Sequence, residues 1–190
     1  NFAPRVMSSL GLDYNVLQDI NPKLVKTSIS NFGQTGSYKD YKATEIVLFA
    51  MGPLMITEGE PDLEPLRYPG YKSQYLAGTH AATATMGAFI GSQISGQGQE
   101  VDVSIIECLS SLPEGAGKIV RYLFSGEEGV RFGYRAEGLY PLGYYPCEDG
   151  AIHVFGITPS HWSRIAHWMG KPELAEDPRF TDPNRRLENQ

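Results

Sequence analysis

Two hydrophobic periods alternate along this chain. Residues 24–30 (LVKTSIS) and 101–105 (VDVSI) set apolar against polar positions in turn, the period-2 mark of strands half-buried on one face. Elsewhere the apolar spacing lengthens to that of a helix. Residues 5–19, with Val6, Met7, Leu10, Val16 and Leu17, predict a short helical segment interrupted near Gly11. Residues 44–55 predict a helix on Ile46, Val47, Phe49, Ala50 and Leu54, and residues 105–124 predict another. The stretch from Ala77 to Ile94 is mostly Ala, Gly, Thr, Ser and Met, which predicts a helix able to lie close against a sheet. Gly96 and Gly98 must end it in a turn before the second strand.

The pattern then changes. Residues 125–142 are rich in Gly, Glu and Arg without apolar periodicity, and read as a linker. Beyond them Glu148-Asp149-Gly150 predicts a hairpin turn into a strand over 151–157. Thr158 and Pro159 predict the N-cap and first residue of a helix that buries Trp162, Ile165, Ala166 and Met169 and stops at Gly170. Strands alternating with helices predict an α/β domain over residues 1–135, followed by residues 136–190 as linker and the start of a smaller domain.

Composition narrows the classes of function. A net charge of −6 argues against nucleic acid or an anionic membrane as partner. No apolar run approaches the ~18 residues of a membrane span, and no signal peptide is visible. The two cysteines, Cys108 and Cys147, fit no metal-ligand spacing and predict reduced thiols in a cytosolic protein. The four histidines lack metal-pair spacing, so no metal site is expected. Asn1-Phe2 at the start, without methionine, and the close at Gln190 read as cuts within a longer polypeptide.

Few residues carry obvious chemistry. No nucleophile elbow, phosphate-binding P-loop or dinucleotide fingerprint is present. The Gly96-Gln97-Gly98-Gln99 turn could offer backbone N–H groups to an anion or simply reverse the chain. The loop at Gly33 and Gln34 follows a strand, where open α/β sheets place ligands. Glu45, just past Lys42 at the start of an apolar helix, reads either as an acid favoured by the helix dipole or as an active-site acid moderated by Lys42.

Several strings, in order, resemble the class III CoA-transferases, the CaiB/BaiF family. They are Asn1-Phe2 with Pro4, Gly11-Leu12-Asp13-Tyr14, Asn21-Pro22-Lys23, Phe32-Gly33-Gln34-Thr35-Gly36, Thr57-Glu58-Gly59 and Gly96 through Ser104. Tyr145-Pro146-Cys147, the tryptophan helix and Asp177-Pro178-Arg179-Phe180 extend the match. The resemblance implies a Rossmann-like large domain, here partial, and a smaller α+β domain. It implies subunits interlocked as threaded rings, or a tandem partner domain. The implied reaction moves CoA between an acyl-CoA and a carboxylic acid, with the CoA thioester as substrate and no permanently bound cofactor.

The same resemblance marks departures. An aspartate attacks the thioester in the family, four residues before the glycine of the small-residue helix. Here that glycine is Gly78 and the position holds Gln74, whose amide has no ionisable oxygen. No acid lies between Arg67 and Gln99 to replace it. The arginine that helps hold CoA phosphates is displaced to Arg5 by Ala3 in its usual place. Lys42 and Glu45 match the formyl-CoA transferase-like branch, whereas a racemase would show His-Asp at positions 44 and 45. Gln74 and Glu45 are therefore the candidate catalytic positions, and Gly33, Gln34, Lys42 and Arg5 the candidate CoA or substrate contacts. Two readings stay open: a CoA-transferase, or a CoA-ester-binding or structural half without chemistry of its own.

Overall fold

The computed structural model describes residues 2–190. Asn1, first residue of the opening motif, lies outside them. The chain divides into two compact units, one running up to Thr57 with Leu66–Gly129, the other comprising Glu58–Pro65 and Val130–Gln190.

The first unit begins with α1 (Pro4–Ser9) and α2 (Tyr14–Ile20), separated at Gly11, whose φ of 70° is left-handed. Strand β1 (Lys26–Ser30) and strand β2 (Glu100–Ser104) pair in parallel, Lys26 opposite Glu100 and Ser30 opposite Ser104. A parallel pair needs a long crossover. It is supplied by α3 (Glu45–Met51), a 3₁₀ turn (Met55–Thr57) and the 24-residue α4 (Lys72–Ser95). Helices alternating with parallel strands make this unit α/β, as the hydrophobic periods imply. Val103 is buried while Glu100 and Asp102 are exposed, but Ser104 is buried as well, so the alternation of β2 stops at Val103.

Leu48, Phe49, Leu54 and Leu109 are essentially inaccessible and form the centre of an apolar cluster with Phe32, Val103, Ile105 and Cys108. Helix α4 meets it through small side chains. Ser73, Ala77, Ala81, Ala88 and Ser92 are its buried residues, a stripe at about one-turn spacing. Thr85 on α4 contacts Thr27 on β1 at 2.6 Å between hydroxyl oxygens. The proton of Thr85 goes to Ala81 O, so Thr27 donates. The turn after α4 demands glycine: a Cβ at Gly98 would lie 1.7 Å from Leu24 O.

Several elements differ from their sequence-based bounds, two of them because of a proline. The helix expected over 105–124 is two, α5 (Ile105–Ser110) and α6 (Pro113–Ser125). Pro113 can start a helix but cannot continue one, and Leu112 before it is extended (ψ 142°). The helix expected over 44–55 stops at Met51, with Gly52 extended (ψ 169°) ahead of Pro53. Pairing in β1 starts only at Lys26.

In the second unit β3 (Leu142–Cys147) and β4 (Gly150–Phe155) form the expected antiparallel hairpin. Helix α7 (Pro159–Trp168) is capped by Thr158, whose hydroxyl accepts from His161 N. Trp162 and Ala166 are buried, but Met169 is half exposed because the helix ends at Trp168, so the buried stripe is one turn shorter than the spacing suggests. Helix α8 (Pro183–Glu188) starts at Asp182, which accepts from the backbone of Asn184 and Arg185. It delivers Arg186 to the interior, where it is fully buried, 4.9 Å from the Trp162 ring. Both cysteines are free thiols, and no helix among the described residues is long and apolar enough to cross a membrane.

Candidate functional site

The first turn of α4 is held from outside by another helix. Glu45 opens α3, where an acid is favoured by the partial positive charge of the helix N-terminus. Its Oε1 accepts from Ser73 N at 2.8 Å and its Oε2 from Ser73 Oγ at 2.5 Å. Ser73 is the second residue of α4 and completely buried. The first N–H groups of any helix lack partners within it, and here one is answered by a carboxylate that reaches across from α3. Glu45 thus bridges two helix N-termini. Gln74 follows, exposed, and its Nε2 donates to Ser73 Oγ over a long 3.4 Å. Because the Ser73 proton goes to Glu45, its oxygen is left as the acceptor, which orients the Gln74 amide.

Gln74 lines a cleft of about 550 Å³ together with Arg5 and Lys42. The wall also carries Lys39, Asp40 and the apolar Phe2, Ile29 and Ile105. Arg5 is mostly exposed and grips Asp40 through two bonds, of 3.0 and 2.6 Å. That fork holds the Asp40 carboxyl below its ordinary range, chiefly through the hydrogen bond, and raises the Arg5 guanidinium for the same reason. No ion pair joins Lys42 to Glu45 among the described residues. Glu45 does not line this cleft.

Of the other two candidates, Gln34 adjoins this cleft, its Nε2 donating to Ser30 Oγ in the lining at 3.4 Å, and Gly33 lies apart. Gly33 is buried with φ 82°, and the next residue, Gln34, donates its backbone N–H to Asp102 Oδ2 at 2.8 Å. A Cβ at Gly33 would approach the same oxygen to 3.3 Å. Gln34 borders a smaller recess of about 210 Å³ with Phe2, Ala3 and Pro4, whereas Gly33 borders a separate cleft of about 540 Å³ with Ser104 and Glu107. The glycine turn after α4 offers no anion cradle. Gly96 N donates to Ser92 O, Gln97 N to Ser95 Oγ and Gly98 N to Pro22 O, so its N–H groups are already engaged. Sequence reasoning passed over Ser73, Asp40 and Asp102, which work through partners 28 to 68 residues away. Only the serine in the first turn of a helix carried a local signal. Among the described residues no three His, Cys, Asp or Glu side chains gather as a metal site.

The model of CoA-transferase family III matches residues 1–190. The chain is 37% identical to succinyl-CoA–D-citramalate CoA-transferase of Chloroflexus aurantiacus, covering 100% of this chain and 47% of that protein. It is 30% identical to succinyl-CoA:(R)-benzylsuccinate CoA-transferase subunit BbsE of Thauera aromatica, covering 94% of this chain and 43% of the other. A crystal structure of a CaiB/BaiF family protein from Brucella suis superposes with a TM-score of 0.79 at 30% identity, over 100% of this chain and 50% of that one. The chain spans about half the length of the curated relatives it matches. An α/β unit with these strings in this order, matched over all its residues, belongs to CoA-transferase family III.

Proposed function

We propose that this chain is part of an enzyme that moves CoA between an acyl-CoA and a carboxylic acid, and that the cleft beside Gln74 receives the CoA thioester. The observation that carries this is the convergence of Arg5, Lys42 and Gln74, far apart in sequence, on one cleft. Its lining has three cations, Arg5, Lys39 and Lys42, against one acid, Asp40, in a chain whose net charge is −6. Such a local excess suits the anionic CoA. The CoA thioester is substrate, and no permanently bound cofactor is required. Two free thiols support a cytoplasmic setting. Titration of the chain with an acyl-CoA by calorimetry tests the reading. Binding that weakens about tenfold or more in Lys42→Ala supports it, since one charged contact is commonly worth that much. No binding of any acyl-CoA overturns it.

A second reading has its own observation. Direct attack on a thioester needs a free carboxylate, yet position 74 is an amide and Glu45 is bonded twice to Ser73. Asp40, the acid in the cleft wall, is tied to Arg5. The chain then holds the CoA ester while the nucleophile comes from a partner, either an interlocked second subunit or a tandem domain. The name of BbsE, a subunit, supports a partner chain. A hydroxamate or an alcohol at residue 74 or 45, formed when hydroxylamine or borohydride displaces an acyl or CoA adduct there, sinks this second reading.

A further inference from the structure

Two walls of different build face each other across the cleft beside Gln74. One is the start of the chain, Ala3 and Pro4 with Arg5 on α1; the other is the loop over residues 39–43. Ile29 and Ser30, at the carboxyl end of β1, lie in the lining too, where parallel sheets place their ligands. Helix α1 buries no residue. Among the described residues its other hydrogen bonds reach no further than residue 13, so the Arg5–Asp40 fork is the one bonded tie between α1 and the loop. The Arg5 side chain is 81% exposed and that of Asp40 34%, and an ion pair so open to water is weak. A carboxylate carries one charge, whereas a phosphate monoester carries about −1.5 to −2 at pH 7 and offers three oxygens to the same guanidinium fork. A phosphate can therefore take Arg5 from Asp40, while a ligand without one has nothing to repay the broken pair. Asp40 is not stranded by such an exchange. Its carboxyl is held low chiefly by the Arg5 bond, but the charge of Lys39 beside it acts in the same direction and stays in place.

We propose that Asp40 is a specificity-determining residue that holds Arg5 until a phosphate of the incoming CoA ester displaces it. The resident carboxylate makes Arg5 a receptor for phosphate rather than for any anion. It does so at the cost of some affinity, because each binding event must first break the Arg5–Asp40 pair. The same exchange unties α1 from the facing loop, so the phosphate opens the wall that it binds. This rests on the reading of the cleft as the acyl-CoA site and adds a counter-ion exchange that the reading does not contain.

The test uses two thioethers that cannot transfer their group, S-ethyl-CoA and S-ethylpantetheine, the second without phosphate. Calorimetric dissociation constants are measured for the unsubstituted chain and for Asp40→Asn, which keeps the shape and removes the charge. The Asp40 carboxyl carbon is followed by NMR at pH 7, with Arg5→Ala as the reference for an Asp40 that has lost its partner. Both positions are exposed, so neither substitution touches the core, and thermal melts confirm folding. Asp40→Asn should bind S-ethyl-CoA about fivefold more tightly than the unsubstituted chain, and S-ethylpantetheine should gain nothing. Saturation of the unsubstituted chain with S-ethyl-CoA should move the Asp40 carbon to its position in Arg5→Ala, and S-ethylpantetheine should leave it where it was. A carbon that stays in place with S-ethyl-CoA bound overturns the proposal while leaving the acyl-CoA site standing. So does an Asp40→Asn chain that binds S-ethyl-CoA no more tightly, or one that gains equally for both thioethers. No binding of S-ethyl-CoA by either chain removes the acyl-CoA site and this proposal with it.

Discussion

Glu45 and Arg186 are two charged side chains that bond to backbone groups, one in each unit, and they serve different ends. Glu45 takes protons from the start of α4, while Arg186 gives protons to the carbonyls of Phe180 and Gly156 at 2.7 and 2.9 Å. Both satisfy groups that secondary structure leaves unpaired. Arg186 is fully buried and borders no described cleft, so its duty is complete within the fold. Glu45 acts one residue away from Gln74, and through Ser73 its bond reaches the wall of a cleft. A charge with all its partners in the backbone is architecture. The groups left without partners beside it, here the Lys42 ammonium and half of the Gln74 amide, are where a ligand can act.

The comparison breaks first at Arg186. Burial in a largely apolar setting pushes its pKa below the ordinary arginine value, and the residue stays in place because the surrounding carbonyls need donors. Arg186→Met keeps much of the volume but strands those carbonyls, with an expected loss of roughly 3–5 kcal/mol in urea unfolding. Arg186→Lys does not restore it, because an ammonium cannot reproduce the planar fork. If Arg186→Met is neutral, the arginine is not what organises the second unit.

A smaller effect is expected at Glu45. Glu45→Gln is isosteric, but an amide can accept from only one of the two Ser73 donors. The expected cost is about 1–2 kcal/mol, the usual range for a helix cap. The substitution should also broaden the NMR signals of the Gln74 side-chain amide, since its anchor loosens. A sharp, unshifted Gln74 amide would separate Glu45 from the cleft after all.

The smallest effect sharpens the electrostatics of the cleft. Asp40 titrates below the ordinary carboxylate value because Arg5 donates to it, so its ion pair is present above about pH 4 and is lost as pH falls through that depressed value. The pair is exposed, and stability should barely respond. What should move is the Asp40 carboxyl carbon in an NMR titration, its midpoint rising toward about 3.9 in Arg5→Ala. An unchanged midpoint would show that Arg5 does not hold Asp40 in solution.

Much of this was legible in the sequence where the signal is local. The period-2 strands, the small-residue stripe of α4, the Thr158 cap and the glycine turn at Gly96 each announce themselves within a few residues. The broken helix at Pro113 was equally local, and its proline outweighed the apolar run around it. The site was legible only in part. Gln74 stood out by its offset from Gly78, but the Glu45–Ser73 bond spans 28 residues and the Arg5–Asp40 pair 35, and no spacing rule reports such contacts. Gly33 and Gln34, grouped with the site by their string, border other recesses because Asp102 ties their loop to the end of β2.

The most direct measurement is the intact mass of the chain after incubation with succinyl-CoA and quenching in acid, which leaves an acyl or CoA adduct in place, for the unsubstituted protein and for Gln74→Asp. The account predicts no covalent acyl or CoA group on the unsubstituted chain, because neither position 74 nor Glu45 presents a free carboxylate. It predicts that Gln74→Asp becomes modified at residue 74, where a carboxylate would face the bound thioester. Modification of the unsubstituted chain at Glu45, abolished by Glu45→Gln, would contradict it.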